Sequence, residues 1–290
     1  MNQKPFDTAG LAGTSKTKGF FRSYGRDWGK VCGCNALLMS SNLLSFVIGI
    51  CLVMLLFPLI FESFTPANLK QVIIDNNLAN VAEVTDEAVE SIFYTLCMLS
   101  SFLLTGMLLV VNGPFYSAVS FYFRNLLTGE GDFKADFKKG LKENWKKSLA
   151  ASILSIVVTV VILFNIGYYQ RADFGTASLA AKSFFSVLLA FWCCMQLFVY
   201  PLIACVELKF REVYRNAMIM VVKNFPVVLA VFLIQLVLFL VIPFGIMFSL
   251  GNIGYALTML LYLIFSFGFT SYMAMYVTWT AIQKILASQN

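Results

Sequence analysis

The chain has 290 residues and not one histidine. Histidine is the side chain whose charge changes near neutral pH and the commonest metal ligand. Its absence excludes His-dependent catalytic triads and zinc sites built with His. Charge is also scarce: Asp, Glu, Lys and Arg together make up 12% of residues, where a soluble domain carries about a quarter. A disulfide framework is lacking too. The seven cysteines are Cys32, Cys34, Cys51, Cys97, Cys193, Cys194 and Cys205; all but the first two fall inside apolar blocks, and none lies in the expected outside loop. They read as small apolar side chains. Cys32 and Cys34 alone are two thiolates without further ligands, so no metal or other cofactor is expected.

What is abundant is apolar side chain, 59% of the residues, with 29 phenylalanines. It is gathered into six blocks of the roughly 20 residues that cross a bilayer as helix: Ala36–Phe61, Ser91–Val111, Leu149–Tyr169, Phe184–Val206, Pro226–Leu250 and Ile253–Ile282. None carries a charge near its centre, where one costs about 2.5–3.5 kcal/mol. The first block is too long and begins too deep in the chain for a cleaved signal peptide. The expected fold is all-α: a polytopic membrane protein of about six transmembrane helices in residues 36–285, in two related halves with two cytoplasmic amphipathic helices. Residues 1–35 form an N-terminal segment, its first half disordered and its second half, FFRSYGRDWGK, at the membrane interface; residues 286–290 form a tail.

Basic residues set the orientation. Of 21 Lys and Arg, all but Lys70, Arg171 and Lys182 fall in the N-terminal segment, in the segments 124–148 and 207–225, or at Lys284. That split places both termini in the cytoplasm. The outside loop, 62–90, is acidic and has room for one or two short helices, as a lid, a docking element or a plain solvated connector.

The two cytoplasmic segments carry the clearest pattern. Phe133, Phe137, Leu141 and Trp145 recur every four residues beside Lys134, Lys138, Lys142 and Lys146, an aromatic face with a basic flank. Phe210, Val213, Tyr214, Ala217, Met218 and Val221 form a second apolar face opposite Lys209, Arg211, Glu212 and Arg215. Such helices either anchor at anionic headgroups or dock a cytoplasmic partner or pack beneath the bundle. Nucleic acid is a poor partner for a net charge of only +6 whose basic residues sit where topology demands them.

Each amphipathic segment follows a proline, Pro114 and Pro201, which suggests the repeated half. The triplet Asn112-Gly113-Pro114 is the sharpest local feature: proline removes an amide donor and clashes with the preceding turn, so a helix end or kink is expected there and at Pro201. Intramembrane polar residues are the default place to look for function; besides Asn112, Asn165, Gln196 and Gln235 are such positions, and an amide bonded to a neighbouring helix is the plainer reading of each. Trp28, Tyr169 and Trp279 read as interfacial anchors.

The run VNGPFYSAVSFYFRNLLTGEGDFKADFKKGLKENWKKSL, Val111–Leu149, resembles the YesL-like family of bacterial integral membrane proteins, and YPLIACVELKFREVYRNAMIMVVKNFP, Tyr200–Pro226, is similar to that family's second characteristic stretch. The resemblance covers roughly Ala36–Ile285; the acidic loop is longer and the N-terminal extension atypical. It implies a bacterial plasma-membrane protein without a defined activity or catalytic residue, an accessory or regulatory role beside an oligosaccharide uptake system, and ABC-transporter subunits as partners of the amphipathic helices. A small transporter or channel built from two halves is the alternative; an enzyme is not expected.

Overall fold

The computed structural model describes residues 16–76, 84–172 and 174–287; among these there is no strand. The chain is an all-α polytopic membrane protein. Six helical stretches are long and apolar enough to cross a bilayer: Leu43–Ile60, Asp86–Gly106, Phe133–Arg171, Thr176–Cys205, Phe225–Gly251 and Ile253–Lys284. The expected disordered stretch, up to residue 15, and the last residues of the tail lie outside the described residues.

The N-terminal segment folds into one helix, α1 (Lys16–Ser41), which runs antiparallel along the last helix, α11 (Phe267–Ala287). Phe20 packs on Phe269, Tyr272 and Tyr276, and Ser23 shares a 2.6 Å hydrogen bond with Tyr272. Asp27 is buried with Arg26 as its ion partner at 2.8 Å. Burial pushes the Tyr24 phenol up to about 12, with Cys32 adding to it. Of the segment expected at the membrane interface, Phe20 and Asp27 are buried and Ser23 and Tyr24 half-buried, while the other seven residues, Phe21 and Trp28 among them, are exposed. Ala36–Ser41 also belong to α1, so the first membrane helix, α2 (Leu43–Ile60), begins later than the apolar block. Composition cannot place this boundary, because both sides of Asn42 are apolar.

In the outside loop, α3 (Pro66–Asp75) is capped by the Thr65 hydroxyl and opened by Pro66 in its first turn. Residues 77–83 lie outside the described residues. Then α4 (Asp86–Gly106) starts five residues before the expected span, capped by Thr85. A 2.7 Å pair between Lys70 and Asp86 ties α3 to α4.

At the other end of α4 the helix stops at Gly106. Met107–Val111, expected as span, are non-helical and buried, with Leu108 at φ 61°. Apolar content alone does not separate buried irregular backbone from helix. The chain resumes as α5 (Gly113–Leu127), with Pro114 in the first turn. Every residue from Tyr116 to Phe123 is buried, because α1, α6, α7 and α11 surround this helix.

The next element, α6 (Phe133–Arg171), is one helix of 39 residues, capped by Asp132, which accepts from the amides of Lys134 and Ala135. At 1.5 Å per residue it is about 58 Å long, nearly twice the hydrocarbon core. The first amphipathic segment is its opening third rather than a separate element. α7 (Thr176–Cys205) returns beside it, and α8 (Phe210–Lys223) is the second amphipathic helix, entered through a capping-box contact from the Lys209 amide to Glu212. An amphipathic stretch precedes a span twice, fused to it in α6 and separated from it by a turn after α8, but α5 stands between α4 and the first with no counterpart between α7 and α8.

Spans five and six form a hairpin. α9 (Phe225–Leu236) continues through a π-helical turn, Val237–Val241, into α10 (Ile242–Leu261), which reverses at Gly251 (φ 52°, ψ −128°), a conformation only glycine adopts readily. A second π-helical turn, Tyr262–Ser266, joins α10 to α11. The hairpin exposes Phe244, Phe248, Leu257 and Leu260, and α6 exposes Ile153, Val157 and Val161; exposed side chains of this kind suit lipid. By contrast α5 and α11 are buried in a helical base at the basic end, and that base is where the polar contacts concentrate.

Candidate functional site

Two helix breaks meet at one junction. Asn42, fully buried between α1 and α2, donates to the Leu38 carbonyl at 2.6 Å and accepts the Asn112 amide at 2.8 Å. The Asn112 side chain donates back to the Ser41 carbonyl. One residue on, the Gly113 amide donates to Ser152 of α6 at 2.8 Å, and Ser152 lies 3.4 Å from the Tyr200 hydroxyl of α7. Ser117 donates to Ser148. The amides freed by the expected break at Asn112, Gly113 and Pro114 are therefore met by side chains from other elements. A buried backbone group without a partner costs about 1–3 kcal/mol, so this junction locks the membrane helices to the base. Ser152 and Tyr200 also sit against Gly113, where a Cβ has no room.

Pro201 behaves differently. α7 runs through it unbroken to Cys205, and Arg124 of α5 donates to the Ala204 carbonyl at the helix end. The helix does not end at Pro201: residues from Cys193 to Ala204 are buried on all sides, and their packing carries α7 past the missing donor.

The aromatic stripe of α6 does not act as one face. Positions four apart advance by about 40° around a helix, so the stripe drifts by about 120° from Phe133 to Trp145. Phe137 packs on Phe115 of α5 with ring centroids 5.7 Å apart, and Phe133 meets Tyr122 edge-on. Leu141 is half-buried, while Phe133 is 40% and Trp145 46% exposed. The residues buried most deeply against α5 are Gly140 and Ser148, which the stripe does not include; Gly140 sits directly over Phe121 and Ala118. Lys134, Lys138, Lys142 and Lys146 are all exposed.

On α8 the expected face is nearer the observed one. Val213, Ala217, Met220 and Val221 are buried, and Tyr214 stacks almost parallel on Trp192 of α7, its hydroxyl donating to the Ala151 carbonyl at 3.4 Å. Burial raises the Tyr214 phenol pKa. Phe210 packs on Tyr214. Met218, placed on the same face by its spacing, is exposed. The apolar face of α8 is covered by this chain's own helices.

The intramembrane amides separate into three cases. Asn165 donates to the Val161 carbonyl one turn back on its own helix. Gln235 reaches across to the Gly106 carbonyl where α4 ends. Gln196 is fully buried, and neither atom of its amide has a hydrogen-bond partner among the described residues. Trp279, expected as an interfacial anchor, is buried in the base. No three Cys, Asp or Glu gather as metal ligands among the described residues.

Sequence reasoning missed Asn35 and Asn42. Asn35 of α1 donates to the Tyr262 carbonyl at 2.7 Å and to the Leu263 carbonyl, and accepts the Gly268 amide at 2.7 Å. It supplies partners to the second π-helical turn, whose wide pitch leaves backbone groups out of register. The available signal was an amide flanked by apolar residues at the start of the first block.

The chain matches no family model, no curated protein and no solved structure.

Proposed function

We propose that this is a non-enzymatic integral membrane accessory protein that docks a partner through the exposed basic flank of the opening third of α6. One observation carries this reading: α6 is continuous from Phe133 to Arg171. A helix that crosses the membrane from Leu149 onward carries its opening residues straight on, about 20 Å past the apolar span. Lys134 and Lys138 then lie about 22 and 16 Å past the apolar span, too far from the headgroups to serve as a membrane anchor. They stand with Phe133 as a basic, partly aromatic post, suited to an acidic protein surface.

The distribution of Lys and Arg supports cytoplasmic termini and puts this post in the cytoplasm. The resemblance of Val111–Leu149 and Tyr200–Pro226 to the YesL-like family supports a bacterial plasma membrane and a carbohydrate ABC transporter as the partner. Affinity purification of the tagged chain from native membranes in mild detergent should recover transporter subunits. The quadruple variant K134Q/K138Q/K142Q/K146Q should recover them at least about fivefold less well, and raised salt should imitate the variant, since exposed charge is screened. Repeated recovery without any transporter subunit from the unaltered chain would overturn the reading.

Orientation has its own check. A single cysteine introduced at Lys138 should resist a membrane-impermeant maleimide applied to intact cells, and one at Glu87 should react; the opposite result inverts the topology.

A small transporter is the second reading, favoured by the non-helical Met107–Val111 beside Cys193, Phe232 and Leu236. Irregular backbone at membrane depth is tolerated where protein or a water-lined path surrounds it. Purified chain in liposomes should then move a sugar or ion, and silence across a broad solute panel with folding verified counts against it.

A further inference from the structure

At the end of the bundle away from the base, α2 and α6 border a groove of about 370 Å³ lined by Leu59, Phe164, Gly167, Tyr168, Arg171 and Ala172. Its wall is apolar except at the mouth. Gly167 lets the Leu59 side chain and backbone lie directly against α6, which sets the floor. Phe164 and Tyr168, 52% and 50% exposed, form one bank. Arg171 is seven residues from Phe164, about 10 Å along the helix, which puts a cation at headgroup level above an apolar channel.

The other basic residues at this end are engaged elsewhere. Lys70 pairs with Asp86 and Lys182 donates to Gln170. Arg171 uses Nη2 to cap the Pro58 carbonyl at the end of α2, which fixes the guanidinium over the groove. No carboxylate lies within ion-pair distance of it among the described residues. A planar guanidinium held this way has N–H groups left for two phosphate oxygens.

We propose that this groove holds one acyl chain of an anionic glycerophospholipid, with its phosphate on Arg171. The site is independent of the docking function proposed above, and lies at the opposite end of the molecule. Its apolar wall accepts the chain, and Arg171, which meets no carboxylate among the described residues, selects the charge.

The test uses the full chain, stripped of lipid in detergent and offered equal amounts of phosphatidylglycerol and phosphatidylcholine with matched acyl chains. Native mass spectrometry should show one retained lipid per chain, with phosphatidylglycerol preferred about fivefold or more, the scale of one interfacial cation. Arg171→Gln should bring the ratio close to one, while Lys182→Gln leaves it unchanged. Tyr168→Ala, which removes a bank without touching the charge, should lower retention of both lipids and keep their ratio; it carries the test if Arg171→Gln is not monodisperse. Excess glycerol 3-phosphate should not displace the lipid. Equal retention of both lipids by the unaltered chain, an unchanged ratio in Arg171→Gln, or an equal loss in Lys182→Gln would each overturn the site.

Discussion

Gly113→Ala should be strongly damaging for the addition of one methyl group, lowering stability by about 4 kcal/mol. The added Cβ runs into Ser152 Oγ and the Ser148 carbonyl, and lies 2.6 Å from Tyr200 Cε1. Two of these three obstacles belong to the α6 ladder or bond to it and cannot swing aside. Overpacking of this kind costs about 1–3 kcal/mol and sometimes more. Displacing Ser152 also removes the partner of the Gly113 amide, which adds about 1 kcal/mol or more for a buried donor left alone. A loss of that size moves the midpoint of a thermal melt in detergent by about 8–16 °C. Gly245→Ala supplies the contrast. Gly245 lies inside α10 with nothing within 4 Å of the place a methyl would take, so the change should be neutral or stabilising by about 0.5–1 kcal/mol through helix propensity. If both variants melt alike, the tight crossing of α5 on α6 is not what holds the junction.

Asn35→Leu should cost about 3 kcal/mol, a drop of about 6–12 °C in the same measurement. Leucine has nearly the same shape, so packing changes little, but the Tyr262 and Leu263 carbonyls and the Gly268 amide lose their partner together. Each buried backbone group stranded in this way is worth about 1–3 kcal/mol, partly offset by the apolar surface that leucine buries. Asn165→Leu is the matched control, because that amide only bonds its own helix one turn back; about 0.5 kcal/mol or less is expected. An Asn35→Leu protein as stable as the Asn165→Leu protein would mean that α1 is not pinned to the π-helical turn by this side chain. The same variant should raise hydrogen exchange in Phe20–Tyr24 of α1, since the aromatic packing there depends on α1 staying in register with α11.

Both residues show where sequence reasoning reaches its end. The triplet Asn112-Gly113-Pro114 predicts a helix break, and the break is there, but nothing in it says that Ser152 and Tyr200 fill the space beside Gly113. Asn35 and Asn42 escape notice because single amides in an apolar setting are common and each has a bland reading. Their weight comes from partners 227 and 70 residues away in the chain. The stripe from Phe133 to Trp145 is legible as an amphipathic helix, yet its fate turns on a continuity that local pattern does not encode. Whether such a helix lies along the membrane or stands out from it depends on whether the chain bends near Ser148, and Ser148 instead packs on α5 as part of an unbroken helix.

Apolar blocks of bilayer length, the absence of charge at their centres and the gathering of Lys and Arg determined by themselves that this is an all-α membrane protein with about six crossings and a basic end. These follow from the cost of moving charge and unpaired backbone into lipid, which each segment meets on its own. Tertiary structure decided which apolar residues are not membrane helix, Ala36–Ser41 and Met107–Val111 among them, and that Pro201 leaves α7 unbroken. It also decided that α5 is the centre of a buried base. These outcomes rest on which distant side chains supply hydrogen bonds and space to a given stretch of backbone, and that becomes definite only when the helices are packed together.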